Sequence, residues 1–151
     1  MKFQGGGINT YDRSRATEGF TLFAPLRHDK GYLINMDGKV VNQWQLNMGG
    51  VNRCQLTDEG NFFISERSEG GPPLTAGKGG RIREYDWDGD LVWEHHDDNQ
   101  HHDVRRLSNG NTLYIAWEEF DEATLIRFNE LAAVRGFSSF RTVVNALVGL
   151  Q

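Results

Sequence analysis

The densest chemistry in this sequence lies in residues 93–103, WEHHDDNQHHD, where four histidines and three aspartates fall within eleven positions. His28 is the only histidine elsewhere in the chain. Imidazole titrates near neutral pH, so it can act as nucleophile, proton shuttle or metal ligand, and a nearby carboxylate can fix its tautomer. A metal centre, an acid–base site and a polar connecting loop all fit that composition. Zinc needs three or four ligands within about 2.0–2.3 Å of one point. The chain has neither an HExxH pattern nor a Cys/His finger, and Cys54, its only cysteine, offers no thiolate pair. No metal and no cofactor are therefore assigned.

Other motifs are weaker. GGPPLTAGKGG (70–80) has glycines and Lys78 but lacks the GxxxxGK[ST] order of a phosphate-cradling loop. DWDGD (86–90) lacks the remaining ligand positions of a calcium loop and reads as a turn. No G-x-S-x-G supports a hydrolase triad.

The elements that position the histidines emerge from a repeat. YLINMDGKVVNQW (32–44) and IREYDWDGDLVWEH (82–95) each read as an alternating strand, an Asp-Gly turn and a second apolar strand. Asp-Gly between such runs is a strong hairpin signal, read here as a turn with both residues at positive φ. The two turns, Asp37-Gly38 and Asp88-Gly89, lie 51 residues apart. CQLTDEGNFFIS (54–65) and RRLSNGNTLYIA (105–116) keep nearly the same step, with Gly60-Asn61 and Gly110-Asn111 50 apart. A period of about 50 residues holding short antiparallel strands is the signature of a β-propeller blade.

In that phase TLFAPL, GYLINM and VVNQWQL close one blade, a complete blade runs from about Val51 to His95, and HDVRRL and TLYIAWE begin a third. Trp44, Trp87, Trp93 and Trp117 are expected to pack between blades. The stretch from Glu66 to Arg81 reads as a Gly/Pro-rich loop inside the complete blade. The reading is thus a mainly β chain, a partial propeller over 1–119, followed by a helical tail over 120–151. In the tail Leu125, Phe128, Leu131 and Ala132 have helical spacing, and Gly136 is a break. Phe140, Val143, Val144, Leu147 and Val148 form a second face, with Ser138 or Ser139 as N-cap. Open sheet edges are normally covered, so the tail is expected to cap one, or a second copy to complete the sheet.

Composition agrees with a globular chain: 38% hydrophobic and 25% charged, with 18 glycines against 3 prolines. The net charge of −5, with no basic stripe, speaks against nucleic acid. No signal peptide and no run long enough to span a bilayer is visible, and nothing specifies a compartment.

Taken together, GFTLFAPL, YLINMDGKVVNQW, GGRIREYDWDGDLVWE and HHDVRRLSNGNTLYIAWEE resemble the bacterial arylsulfotransferases over roughly Thr10 to Glu119. The resemblance implies a β-propeller of about six blades. It also implies transfer of a sulfuryl group from a phenolic sulfate ester to an acceptor phenol, through a channel sulfohistidine. In that family the nucleophile comes from a later blade, and this chain spans little more than two, so it is expected to be incomplete as a catalyst. The matching positions are His101, His102 and Asp103, which resemble channel-facing residues.

Propeller geometry makes the segment from His95 to His102 the crossing from outer to inner strand, expected as a long polar loop. His95 and His96 then end the outer strand, and His102 opens the inner one. Alternation puts Asp103 and Arg105 on one face and His102 and Val104 on the other. The expected roles are His102 and His101 as catalytic groups, Asp103 as acceptor for a histidine N–H, and Arg105 as a fork for the sulfate. The alternative is a non-catalytic repeat module that binds a partner.

Overall fold

The computed structural model describes residues 10–26, 28–47, 50–71, 77–118, 121–124, 126–127 and 146–150, with backbone alone for 50–52 and 146–150. The chain is mainly β and its paired strands are antiparallel. The first sheet holds β1 (Thr21–Phe23), β2 (Lys30–Ile34) and β3 (Val40–Gln45) in that order. The second has four strands in sequence order: β4 (Gly50–Leu56), β5 (Phe62–Arg67), β6 (Gly80–Tyr85) and β7 (Leu91–His96). In the third, β9 (Thr112–Ala116) lies between β8 (Gln100–Arg106) and β10 (Ala146–Leu150).

The turn signals recur as one structure. Gly38 N–H donates to Asn35 O and Asn35 N–H to Lys39 O, and the same pair of bonds closes Thr57–Asn61, Asp86–Asp90 and Leu107–Asn111. This is the three-residue hairpin loop whose last residue is left-handed, rather than the two-residue turn expected from Asp-Gly. The left-handed place falls to the glycine, at φ 75° for Gly38 and 95° for Gly89. Asn35 and Asp86 brace the repeat-equivalent turns through Oδ1, each accepting from the backbone two and four residues on.

The second sheet is the middle layer. Leu22, Leu33, Trp44 and Leu46 of the first sheet pack against Cys54, Phe62, Ile64 and Tyr85 on its front. On its back Phe63, Ile82 and Trp93 meet Val104, Tyr114 and Ala116 of the third sheet. Residues 62–66 of β5 are all buried because alternate side chains enter different cores. Trp44 anchors the first core, stacked on Phe62 at 4.6 Å with Nε1–H donating to Asp86 O at 2.7 Å. Of the other tryptophans expected between layers, Trp87 is 49% exposed and meets Trp44 only by its edge.

Two arginines lie between the sheets, Arg83 buried and Arg106 half-buried. Arg83 bonds Glu66 (3.1 Å) and Glu94 (2.5 Å), and the Tyr85 hydroxyl donates to Glu66 at 2.6 Å. Arg106 bonds Glu84 at 2.7 Å and lies over the rings of Phe63 and Trp93.

The tail departs from the helical reading at its end. Residues 122–124 and 126–127 are helical, but Ala146–Leu150 is a strand paired with β9 over five positions. Leu147 and Val148, expected on a helix, lie opposite Ile115 and Tyr114 instead. The reason is the edge of β9: its free N–H and C=O groups are satisfied by a strand and not by a helix. An edge is thus capped by the tail, as expected, by a different element. Leu125, Phe128, Leu131, Ala132, Gly136, Ser138, Ser139, Phe140, Val143 and Val144 lie outside the described residues.

Two glycines separate packing from backbone strain. A Cβ on Gly31 would sit 2.5 Å from Phe62 Cζ, whereas one on Gly89 would meet nothing within 4 Å. Gly31→Ala is expected to cost about 1–3 kcal/mol by overpacking. Gly89→Ala costs about 1–2 kcal/mol through its left-handed backbone. Denaturant midpoints, with Leu as a second substitution at each site, tell them apart: the Gly31 penalty grows with side-chain volume and the Gly89 penalty hardly does.

Candidate functional site

The crossing into β8 is a tight turn and not the long polar loop expected. β7 ends at His96, and Gln100 N–H donates to Asp97 O at 2.8 Å while Asn99 N–H donates to Asp97 Oδ1. The chain is then strung along the end of β6: Asp97 N–H to Gly80 O, Gly79 N–H to Gln100 O, and a bridge between Lys78 and His101. These partners remove the need for a solvated loop.

Gln100 pins the arrangement. Its side chain is 1% exposed, and its Oε1 accepts from Ser65 Oγ and Gly80 N–H, both at 2.8 Å. Its amide nitrogen donates to the carbonyl of His101. The inner strand therefore opens at Gln100, two residues before His102.

Past Gln100 the strand bulges. Gln100 pairs with Ala116 and Val104 with Tyr114, so His101, His102 and Asp103 oppose Ile115 alone. The simple alternation expected across His102 to Arg105 fails here: Val104 is buried and His102 exposed. β4 carries the same irregularity, with residues 51–53 opposite Ser65.

The bulge brings His101 and His102 together. Their Nδ1 atoms are hydrogen-bonded, one ring donating and the other accepting, with centroids 4.2 Å apart. His101 is half-buried and also meets the Trp117 ring at 4.5 Å. Burial, then the charge of His102, lowers the His101 pKa against a smaller opposing pull from Asp103.

Asp103 does not hold a histidine N–H. Its Oδ1 accepts from Val104 N–H at 3.0 Å and pairs with Arg53 at 3.5 Å. Arg53 and Asp103 occupy equivalent places in the two bulges, 50 residues apart, so the repeat itself contained the signal that would have found Arg53.

Arg105 is exposed and lines a separate open cleft of about 890 Å³ between the Thr57–Gly60 and Leu107–Gly110 turns. Arg53, Arg106, Glu59 and Glu84 share that lining, whereas His101 and His102 do not. The predicted histidine pair is thus assembled, but Arg105 stands apart from it.

The first histidine pair has different work. β7 is the edge strand of its sheet and His95 and His96 end it, as expected. His95 is half-buried, with Nε2 3.3 Å from the Tyr114 hydroxyl, which donates to Asp97 Oδ2 at 2.9 Å. His96 pairs with Asp98 at 2.7 Å on the surface. His95 thus ties the turn to the third sheet rather than facing solvent in a loop.

Among the described residues no group of three or more His, Cys, Asp or Glu side chains is placed to hold a metal ion. Nor is any described helix long and apolar enough to cross a membrane. Comparison with known protein families, curated proteins and solved structures returns no match to this chain.

Two titrations follow. In NMR, the His101 ring is expected to titrate below the ordinary value of 6.5, and in His102→Ala its midpoint should rise. An unchanged midpoint would mean that burial alone acts. Burial and the bond to Asp97 push the Tyr114 pKa up to about 12 from 10.0. Between those values the unfolded chain has lost the proton that the folded one keeps, so stability falls as pH rises. Tyr114→Phe should flatten that alkaline fall, and an undiminished slope in its unfolding curves would assign the fall to other groups.

Proposed function

We propose that this chain is a β-propeller-type repeat unit of arylsulfotransferase kind, in which His102 and His101 serve as a proton-handling pair for a phenolic sulfate ester. The observation that carries the reading is the hydrogen-bonded imidazole pair on the β8 bulge, one ring exposed and the other sheltered. Two imidazoles joined through Nδ1 share a proton, and burial together with the charge of His102 disfavours protonation of His101. Such a pair can protonate the phenolate that leaves when the sulfur–oxygen ester bond breaks, and recover the proton from an acceptor phenol.

By the resemblance, the nucleophile that carries the sulfuryl group belongs to a later blade, so this chain supplies the assisting groups. Arg53, held by Asp103 beside the histidine pair, offers a guanidinium fork for the anion, whereas Arg105 stands apart in the neighbouring cleft. The partners are then a small aryl sulfate and a phenol. Stacking of three sheets with one turn type at a step of about 50 residues supports the propeller part of the reading.

A second reading, a non-catalytic interaction module, is favoured by the outer edge strands. Val40 and Val41 of β3 and Leu91 and Val92 of β7 stand at equivalent repeat positions and are 43–55% exposed. Such apolar edges suit docking of another chain.

The readings separate on the full chain given an aryl sulfate, with and without an acceptor phenol. Because the nucleophile is assigned to a later blade, binding of the aryl sulfate is the readout, and His102→Ala is expected to weaken it severalfold through loss of a hydrogen-bonding group. His95→Ala should change it little at matched folding. Equal behaviour of His102→Ala and the unaltered chain would leave the pair without a chemical role and favour the interaction module.

A further inference from the structure

The three sheets use their faces in a fixed order. The first packs by its back on the front of the second, and the second by its back on the front of the third. Among the described residues two faces of this series stay unmatched, the front of the first sheet and the back of the third.

Register identifies them. Leu22 and Leu33 are paired and point into the core, so the adjacent pair Phe23–Tyr32 and the pair Thr21–Ile34 lie on the front. Phe23 and Tyr32 stack with centroids 5.5 Å apart, and Phe23 is 38% exposed. Phe20 and Leu26, on either side of β1, are 66% and 65% exposed. On the third sheet Tyr114 and Ala116 point into the core, so Leu113 and Ile115 lie on the back, half-buried.

The repeat tells what fits these faces. Tyr32 and Ile34 stand 51 residues before Arg83 and Tyr85 on the front of the second sheet, where Tyr85 packs against the first and Arg83 bonds the Glu66 that accepts from Asn47 N–H. Leu113 and Ile115 stand 50 residues after Phe63 and Ser65, on the back of the second sheet and packed against the third. Each unmatched face is therefore the counterpart of a surface that already meets the other kind twice within the chain.

We propose that a second copy of this chain docks head to tail, the back of its third sheet, at Leu113 and Ile115, seated on the front of the first sheet, at Phe23, Tyr32 and Ile34. The contact is heterologous, so an assembly either closes into a ring or keeps one face of each kind free at its ends and grows. It continues the interface between layers and does not depend on the sulfuryl chemistry. Each copy carries a charge of −5, so raising salt should strengthen association by screening the repulsion.

Sedimentation of the full chain tests this. The expected result is a mass above that of one 17.2 kDa chain, growing with concentration and with salt. Phe23→Asp and Ile115→Lys should each weaken association about tenfold or more. Mixing the two variants should restore a complex that stops at two copies, because each supplies the face that the other lacks. That recovery also shows that both variants fold.

A chain that sediments as one copy at every concentration overturns the proposal. So does a variant that associates like the unaltered chain. Failure of the mixture to associate while both variants keep their strand circular dichroism points to like faces meeting, and overturns it too. Should Ile115→Lys lose that signal, Leu113→Gln on the same face carries the same readout.

Discussion

Phe62 and Phe63 are neighbours in sequence and belong to different cores. That single constraint, a central strand whose successive side chains must both be buried, sets the layering of the molecule. Each fully buried phenylalanine contributes about 1.5–3 kcal/mol relative to exposure, and neither can be buried unless a sheet covers its own side. The first and third sheets are thus each required by a side chain of β5. Gly31 belongs to the same constraint, since its missing side chain is the room that the Phe62 ring occupies.

Polar groups that enter these layers are matched individually. Burying an ion pair costs desolvation that only good geometry offsets, so Glu66 meets Arg83, Tyr85 and the Asn47 backbone together. Arg106 is held by Glu84, Thr112 and two aromatic rings. This division matters for function. Arg83 ties three strands of the second sheet together and Arg106 ties the third sheet to the second, while Arg53 and Arg105 are exposed. Gln100 plays the corresponding part for the backbone, using one amide to tie the start of β8 to β5 and β6.

The bulges of β4 and β8 join architecture to chemistry. An extra stretch of strand that cannot pair must turn its side chains away from regular alternation. In β4 it presents Arg53, and in β8 it presents His101, His102 and Asp103. The Arg53–Asp103 pair then links the two bulges across neighbouring sheets. A repeat that places the same irregularity twice gives the chain two adjacent positions at which polar side chains leave the sheet.

Much of the fold was legible in local patterns. The four glycine turns at a step of about 50 residues, the antiparallel hairpins they close and the outer-strand place of His95 and His96 all depend on backbone preferences that a few neighbouring residues express. The nearness of His101 and His102 was legible too, being sequence adjacency. What was not legible depends on partners distant in the chain. Alternation alone cannot announce the β8 bulge, because the extra residues are defined only against β9. Gln100 looks like any polar loop residue until Ser65 and Gly80 surround it. Leu147 and Val148 suit a helix by their own spacing, and become a strand because β9 has an edge to fill. Local sequence determined which turns form and which strands follow them. Tertiary structure decided which face each side chain takes and where the strands bulge, because burial and pairing are properties of two segments at once.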